Sequence, residues 1–139
     1  MKTVMVSGHF DPFHFAHLDF INQAVKLGDQ LICLVASDKQ GIMKKGKVNE
    51  PEEERASLIS QLLLGTGRAF VVLINQWDSD GLVAKALEAL KPDIFCRGTD
   101  KTLDDMPLAE RVMCEKLGIK IVHVQGKVAH GSEFIYDNK

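Results

Sequence analysis

The sequence has few cysteines, and their spacing is that of isolated thiols. Three of its 139 residues are cysteines, Cys33, Cys96 and Cys114, and no two of them form a C-x-x-C pair. An odd number of widely spaced cysteines disfavours a metal or redox site. We therefore expect three buried thiols in a protein of the reducing cytoplasm.

The sequence also lacks an excess of basic residues. Seventeen lysines and arginines stand against 19 aspartates and glutamates, which gives a formal net charge of −2 at pH 7. A general nucleic-acid coat or a binder of anionic membranes needs a basic excess, so we expect no nucleic acid and no membrane among the partners. Any polyanion must then bind at a local site.

Long apolar runs are missing as well. The N-terminal apolar run ends at Gly8, which makes it too short for the core of a signal peptide or for a bilayer span. No later segment is long enough either. These absences predict a cytoplasmic protein.

The composition that remains is that of one ordinary globular domain. Hydrophobic residues make up 45% of the chain and charged residues 26%. A chain of this length is expected to form a single domain over residues 1–139 and to bury roughly two thirds of its unfolded surface.

Five short runs rich in β-branched and other apolar residues predict strands. They are nearly continuous rather than alternating, which is typical of strands buried on both faces of a parallel sheet. The runs are Thr3–Ser7, Gln30–Ala36, Ala69–Ile74, Asp93–Cys96 and Ile119–Val124.

Helical patterns separate these strands. The first ends near Gly28, where a helix C-cap belongs, and the second begins near Pro51. The third is predicted over Ser79–Lys91 and the fourth over Asp104–Leu117. Strands that alternate with helices predict an α/β fold, in which an open five-stranded parallel sheet carries helices on both faces.

The segment after the first strand contains two histidines at helical spacing. Ligands of open α/β sheets bind beyond the carboxyl ends of the strands, where the strand order reverses. His14 and His17 would share one face at a helix N-terminus there, beside free backbone N–H groups that favour a phosphate. A lone histidine is more often a cap or a surface group, but the paired spacing at this position favours a phosphate site.

The residues from Gly8 to His17 read Gly-His-Phe-Asp-Pro-Phe-His-Phe-Ala-His, which resembles the G-x-F-D-x-x-H-x-G-H signature of the cytidylyltransferase-like nucleotidyltransferases. The resemblance covers nearly the whole chain and implies a Rossmann-like fold. It also implies transfer of a nucleoside monophosphate from an NTP to a small phosphorylated acceptor, with release of pyrophosphate. His14 and His17 would then stabilise charge on the phosphate that is transferred.

The same resemblance assigns the neighbours of the two histidines to the nucleotide. Ser7, Gly8, His9 and Phe10 would lie against it. Ala16 stands where the family has a glycine that contacts the nucleotide, so its methyl group would tighten or shift the pocket for the base and ribose.

Four lysines lie between positions 39 and 47, in what we predict to be a loop after the second strand. A lysine run by itself is usually a solvated face. In the family, a lysine from a mobile loop neutralises the triphosphate, and Lys45 matches it best, with Lys44 next. Arg55 matches a family arginine that contacts the phosphates.

The turn after the fourth strand contains the residues Arg97, Gly98, Thr99 and Asp100. It could be a structural turn with an Arg–Asp pair. It also resembles the family element that borders the nucleotide base and ribose, which implies that these four residues bind the nucleotide.

The family usually has a run of Ser and Thr near the C-terminus that holds the phosphates. Here Ser132 matches it as an N-cap and phosphate ligand, and His130 would replace part of the missing hydroxyl groups. Magnesium would be carried by the NTP, because clustered carboxylates that would form a protein site are absent from the sequence.

The base and the acceptor are less constrained by the sequence. We favour CTP over ATP, with glycerol 3-phosphate as the first acceptor, followed by a sugar 1-phosphate, an aminoalcohol phosphate and FMN. Asp11, Asp38 and Trp77 are the candidate acceptor ligands. The chain leaves no room for a separate acceptor domain, so the acceptor is small or a second subunit helps to hold it, and we expect a homodimer.

Two alternatives from other classes stay open. The altered C-terminal segment and Ala16 would suit a nucleotide-binding module without catalytic activity. His9, His14 and His17 could instead form a metal site.

Overall fold

The structure, a computed structural model, describes residues 1–98 and 105–124. Its strands are β1 (Thr3–Gly8), β2 (Gln30–Val35), β3 (Ala69–Ile74), β4 (Ile94–Arg97) and β5 (Lys120–His123). Its α-helices are α1 (Phe15–Ala24), α2 (Asp38–Lys45), α3 (Glu52–Leu64), α4 (Ala84–Leu90) and α5 (Leu108–Leu117). A 3-10 turn, Val25–Leu27, extends α1.

The five strands form one parallel sheet in the order β3-β2-β1-β4-β5. The chain builds the sheet outward from β1 on one side and then crosses back to add β4 and β5 on the other. The strand order therefore reverses between β1 and β4. This arrangement confirms the predicted open α/β sheet.

Helices cover both faces of the sheet because its strands are apolar on both sides. Val4 and Val6 of β1 face α1 and α3, whereas Met5 between them faces α4 and α5. Met5 and Val6 are fully buried, and each large side chain removed from water in this way stabilises the fold by roughly 1.5–3 kcal/mol.

The lysine-rich segment forms helix α2, so the prediction of a loop was wrong. The Ser37 hydroxyl accepts a hydrogen bond from the Gln40 backbone N–H at 3.1 Å, and the Gln40 side chain accepts one from the Ser37 N–H at the same distance. This capping box stabilises the helix start, and Gly46 ends the helix with a φ of 78°. The Ser-x-x-Gln spacing was the signal that the sequence reading missed.

Helices α4 and α5 begin later than predicted. Asp78 accepts hydrogen bonds from the backbone N–H groups of Lys85 and Ala86, so α4 begins at Ala84 and not at Ser79. Helix α5 begins directly after Pro107, because proline disfavours helical geometry at the residue before it.

Gly28 is required by packing and not by a left-handed C-cap. Its φ of −160° is extended backbone that any residue adopts. A Cβ at this position would lie 2.7 Å from Cγ2 of Val4 and 2.8 Å from the carbonyl oxygen of Lys2. The glycine therefore lets the chain pass close to the start of β1.

The three cysteines are free and buried, as predicted. Burial raises the pKa of the Cys33 and Cys96 thiols to about 12. Every helix in the described ranges falls short of the length and hydropathy that a bilayer crossing requires.

Candidate active site

A cavity of about 680 Å³ opens at the carboxyl ends of β1, β2 and β4. Gly8, Ala36 and Arg97 line it at or just beyond the ends of these strands. This edge includes the point between β1 and β4 where the strand order reverses. Ligands of open α/β sheets bind at this position.

The cavity extends over the edge of the sheet toward both layers of helices. On one side its wall contains Phe10 and Cys96, which belong to the core beneath α1, and we call this side the α1 arm. On the other side its wall contains Leu34, Val83 and Phe95, which belong to the core beneath α4 and α5, and we call this side the α4/α5 arm.

His14 and His17 lie side by side at the start of α1, and both line the cavity. Their rings are stacked, with centroids 3.9 Å apart and planes inclined by 21°. The backbone N–H of His14 donates a hydrogen bond to Nδ1 of His17 at 3.2 Å. Phe10 contacts the His17 ring in an edge-on arrangement, at 5.1 Å between centroids. The spacing of three residues thus brings both imidazoles to the cavity.

Nδ1 of His17 is an acceptor, so the neutral ring carries its proton on Nε2. Burial, together with the electrostatic effects of the neighbouring His14 and Lys45, lowers the pKa of His17 to about 4. His17 is therefore neutral at pH 7 and has one N–H left to donate to a ligand.

We expect His17 to make folding stability depend on pH between about 6.5 and 4. The unfolded chain protonates this histidine near pH 6.5, whereas the folded protein does so only near pH 4. Within that window the unfolded state binds more protons, so acid destabilises the fold by up to about 1.4 kcal/mol per pH unit.

Urea unfolding of the wild type and of His17→Asn at several pH values measures this effect. Asparagine retains an acceptor at the Nδ1 position but does not titrate. The stability difference between the two proteins should shrink as the pH falls from 6.5 to 4. A difference that stays constant across the window would contradict the buried, neutral imidazole.

The end of β1 is shaped by Phe10. This residue has a left-handed φ of 52°, and its ring packs beneath Gly8, where a Cβ would lie 2.9 Å from Cζ of Phe10. Gly8 is therefore required here because a side chain at this position would collide with the aromatic ring of Phe10. Ser7, Gly8, His9 and Phe10 all line the cavity.

His9 is the third imidazole of the cavity lining. Burial lowers its pKa to about 4, together with the positive charges of Lys44, Lys45 and Arg55. Its Nδ1 atom is buried and has no hydrogen-bond partner within the described part of the chain.

Asp11 lines the cavity but is already engaged by the protein. Its carboxylate accepts hydrogen bonds from the backbone N–H groups of Asn49 at 2.9 Å and Glu50 at 2.8 Å. Burial alone would raise the pKa of Asp11, but these hydrogen bonds and the charges of Lys45 and Arg55 hold it below its usual value. Asp11 thus fastens the chain between α2 and α3 to the segment after β1.

Both candidate lysines reach the cavity from α2. The ammonium group of Lys45 donates a hydrogen bond to the main-chain oxygen of Asp11 at 3.0 Å and lies 3.6 Å from its carboxylate. Lys44 is exposed and lines the cavity as well. The two positive charges therefore lie at the rim nearest the start of α1.

Arg55 lies outside the cavity lining, and its contact with the phosphates stays a prediction. It is 1% exposed. Its guanidinium donates to the carbonyl oxygens of His9, Ala36 and Glu50, at 2.7–2.8 Å, and to the carboxylate of Asp38 at 2.8 Å. The side chain therefore ties the ends of β1 and β2 to the start of α3, and it positions His9.

Asp38 and Trp77, two of the expected acceptor ligands, also lie outside the cavity lining. The Asp38 carboxylate accepts hydrogen bonds from Arg55 and from the Glu52 N–H, while the Asp38 N–H donates to Glu52 at 2.7 Å. Asp38 thus joins α2 to α3. Trp77 packs against the α4/α5 core and borders a separate shallow cleft with Ser37.

Arg97 and Gly98 line the cavity at the end of β4, and their binding to the nucleotide stays a prediction. Nη1 of Arg97 lies 3.4 Å from Nε2 of His123 on β5. Four further predicted ligands lie outside the described residues: Thr99, Asp100, His130 and Ser132.

Sequence reasoning missed three buried polar residues in the cavity lining, Gln40, Asn75 and Glu110. Gln40 donates hydrogen bonds to the carbonyl oxygens of Asp80 and Leu82, at 2.7 and 3.0 Å. The position of Asn75, directly after β3, was a usable signal, because ligands gather at strand ends. A glutamate in the first turn of a helix, such as Glu110, is too common to have been one.

The three-histidine alternative for a metal site finds no support in the structure. Within residues 1–98 and 105–124, no group of three or more histidine, cysteine, aspartate or glutamate side chains is arranged to hold a metal ion. His9, His14 and His17 line one cavity without forming such a group.

Comparison with known proteins gives a consistent result. A family model described as cytidylyltransferase-like matches residues 5–135. The FAD synthase of Archaeoglobus profundus is 34% identical over 127 residues, which cover 91% of this chain and 77% of that protein. The FAD synthase of Thermoplasma volcanium is also 34% identical, over 89% of this chain and 82% of its own length.

A solved structure shares the fold as well. It is the lipopolysaccharide core biosynthesis protein from Thermoplasma volcanium, which is 30% identical and superposes with a TM-score of 0.71. The match covers 92% of this chain and 99% of the other.

Proposed function

The chain belongs to the cytidylyltransferase-like family and is a nucleotidyltransferase, and from this premise we propose that it transfers AMP from ATP to FMN, with release of pyrophosphate. The expectation of CTP and glycerol 3-phosphate came from the compact length of the chain and from an overall layout that resembles that of the glycerol-phosphate enzymes of the family. The similarity to FAD synthases supports ATP and FMN instead.

The single observation from the structure that carries the proposal is the apolar lining of the cavity on the side of α4 and α5. Leu34, Val83 and Phe95 line it there. Three apolar walls suit a planar ring system, which gains stability by leaving water, and they offer little to a glycerol backbone.

In the proposed reaction, a phosphate oxygen of FMN attacks the α-phosphorus of ATP in line. A new P–O bond forms, the bond to the bridging oxygen of the β-phosphate breaks, and its electron pair leaves with pyrophosphate. The Nε2–H of His17 and the imidazole of His14 stabilise negative charge as it grows on the phosphoryl oxygens.

Lys44 and Lys45 neutralise the leaving pyrophosphate in this scheme. To do so Lys45 exchanges its contacts with Asp11 for the phosphates. Asp11 tolerates this exchange because the backbone N–H groups of Asn49 and Glu50 still compensate its charge. We expect Mg²⁺ to be carried by the nucleotide substrate. The homodimer stays a prediction.

A screen of the four NTPs against phosphorylated acceptors tests the proposal. FMN, glycerol 3-phosphate, a sugar 1-phosphate and an aminoalcohol phosphate are supplied in turn, and pyrophosphate and FAD are measured. We expect ATP with FMN to give FAD and pyrophosphate in equal amounts, at least about tenfold faster than any other pair.

Three outcomes would overturn the proposal. Faster release from CTP with glycerol 3-phosphate would restore the first expectation. Faster release with a sugar phosphate would favour the activity suggested by the lipopolysaccharide core biosynthesis relative. Nucleotide binding in calorimetry without pyrophosphate release from any acceptor would indicate a module that binds but does not catalyse.

A further inference from the structure

Glu110 is a buried carboxyl group in the α4/α5 arm. It lies in the first turn of α5, is 7% exposed and lines the cavity. Glutamate is almost never buried unless it is paired. Its position in a cavity wall therefore needs an explanation.

The contacts of Glu110 within the described ranges account for only part of its hydrogen-bonding capacity. Oε2 accepts a hydrogen bond from the Val83 backbone N–H at 3.0 Å. A carboxylate offers about four acceptor sites, so one N–H leaves most of them available. Burial raises the pKa of Glu110, against the opposing effects of the Val83 N–H and the Arg97 charge.

The two arms of the cavity differ in the charged side chains that line them. The rim nearest the start of α1 carries Lys44, Lys45 and the helix N-terminus, which favour a triphosphate. The α4/α5 arm contains the acidic Glu110 beside the positive charge of Arg97, so it is less basic than that rim. An acceptor that brings its phosphate to the histidines would then extend its remaining part into the α4/α5 arm.

We propose that Glu110 determines the specificity for the acceptor, by accepting a hydrogen bond from an N–H or O–H group at the end remote from the acceptor phosphate. The inference rests on the proposed function, and for FMN that group is the imide N–H of the flavin ring. A substrate that lacks a donor at this end would leave a buried carboxyl group without its partner, which is costly.

Glu110→Gln tests the inference with little change in shape. Glutamine retains an oxygen for the Val83 N–H but presents an NH₂ donor in place of the second acceptor oxygen. Pyrophosphate release is followed with FMN and with 3-methyl-FMN, which has a methyl group in place of the imide hydrogen.

We expect the substitution to raise the KM for FMN roughly tenfold, while kcat and the KM for ATP stay within about twofold. For the wild type, 3-methyl-FMN should show a KM roughly tenfold above that of FMN, and in the variant this difference should disappear. Glu115→Gln, at an exposed position on the same helix, is the matched control and should change neither constant.

If Glu110→Gln raised the KM for ATP and not the KM for FMN, the inference would be overturned. A wild-type protein with the same KM for FMN and for 3-methyl-FMN would overturn it as well. The flavin comparison needs no variant, so it holds even where Glu110→Gln unfolds. A wild type that makes no FAD would instead refute the proposed function. The variant pair is then assayed with the acceptor that releases pyrophosphate in the screen, and an unchanged KM for it refutes the inference.

Discussion

Replacing His17 with alanine is expected to lower kcat by at least about a hundredfold while the protein remains folded. His17 lines the cavity and keeps one N–H to donate, because its other nitrogen accepts a hydrogen bond from the His14 backbone. Removing one donor that stabilises charge in the transition state commonly costs roughly 3 kcal/mol. A steady-state assay of pyrophosphate release measures the loss.

The expected loss should fall on kcat more than on KM. The imidazole meets an oxygen whose charge increases only during the transfer, so the bond is stronger in the transition state than in the bound substrate. His17→Asn refines the test, because it retains the acceptor that fixes the start of α1 but lacks a donor at the Nε2 position.

Two observations would contradict this role. Near-normal pyrophosphate release by His17→Ala would remove His17 from the chemistry. A loss in His17→Ala that His17→Asn fully restores would show that His17 acts by supporting the helix start. Asn22→Ala, at an exposed position on α1, provides the control for general effects on the helix.

The fold could be predicted from the sequence where local pattern and tertiary structure agree. The bounds of β3 match the apolar run Ala69–Ile74 because the residues of this edge strand pack alternately against the cores on the two faces of the sheet. The start of α5 was misplaced by four residues, from Asp104 to Leu108, because apolar periodicity does not report where a proline interrupts it.

The site could be predicted where it depends on short-range spacing. His14 and His17 are three residues apart, so any helix there brings them together. Glu110 was not predictable in this way, because its partner Val83 is 27 residues away and the cavity exists only when α4 and α5 pack on the sheet.

Arg55 shows why a family pattern has to be read together with tertiary contacts. The motif predicted a phosphate ligand, and an arginine is indeed unusual on the buried face of α3, beside Ile59 and Leu63. Its partners, however, are carbonyl oxygens of His9, Ala36 and Glu50, which come together only in the folded chain. A sequence pattern identifies an important arginine, but it does not tell whether the side chain binds a ligand or forms hydrogen bonds within the protein.

Arg55→Met should therefore destabilise the fold by roughly 3–5 kcal/mol, which is a large fraction of the stability of a small domain. Methionine fills a similar volume but leaves three carbonyl oxygens and the Asp38 carboxylate without their donor. Urea unfolding measures the change. Arg68→Met is the matched control, because Arg68 is exposed and donates to the Val25 carbonyl oxygen at 3.2 Å, and we expect it to cost less than about 1 kcal/mol.

The same variant distinguishes the two roles of Arg55. If Arg55 were a phosphate ligand at the surface of the cavity, its replacement would raise the KM for the nucleotide with little effect on unfolding. If Arg55 joins β1, β2 and α3, its replacement lowers the urea midpoint. The activity then falls as a consequence, because His9 loses the hydrogen bond that positions its backbone. An unchanged urea midpoint together with a raised nucleotide KM would return Arg55 to the phosphates, and would require it to leave four hydrogen bonds when the nucleotide binds.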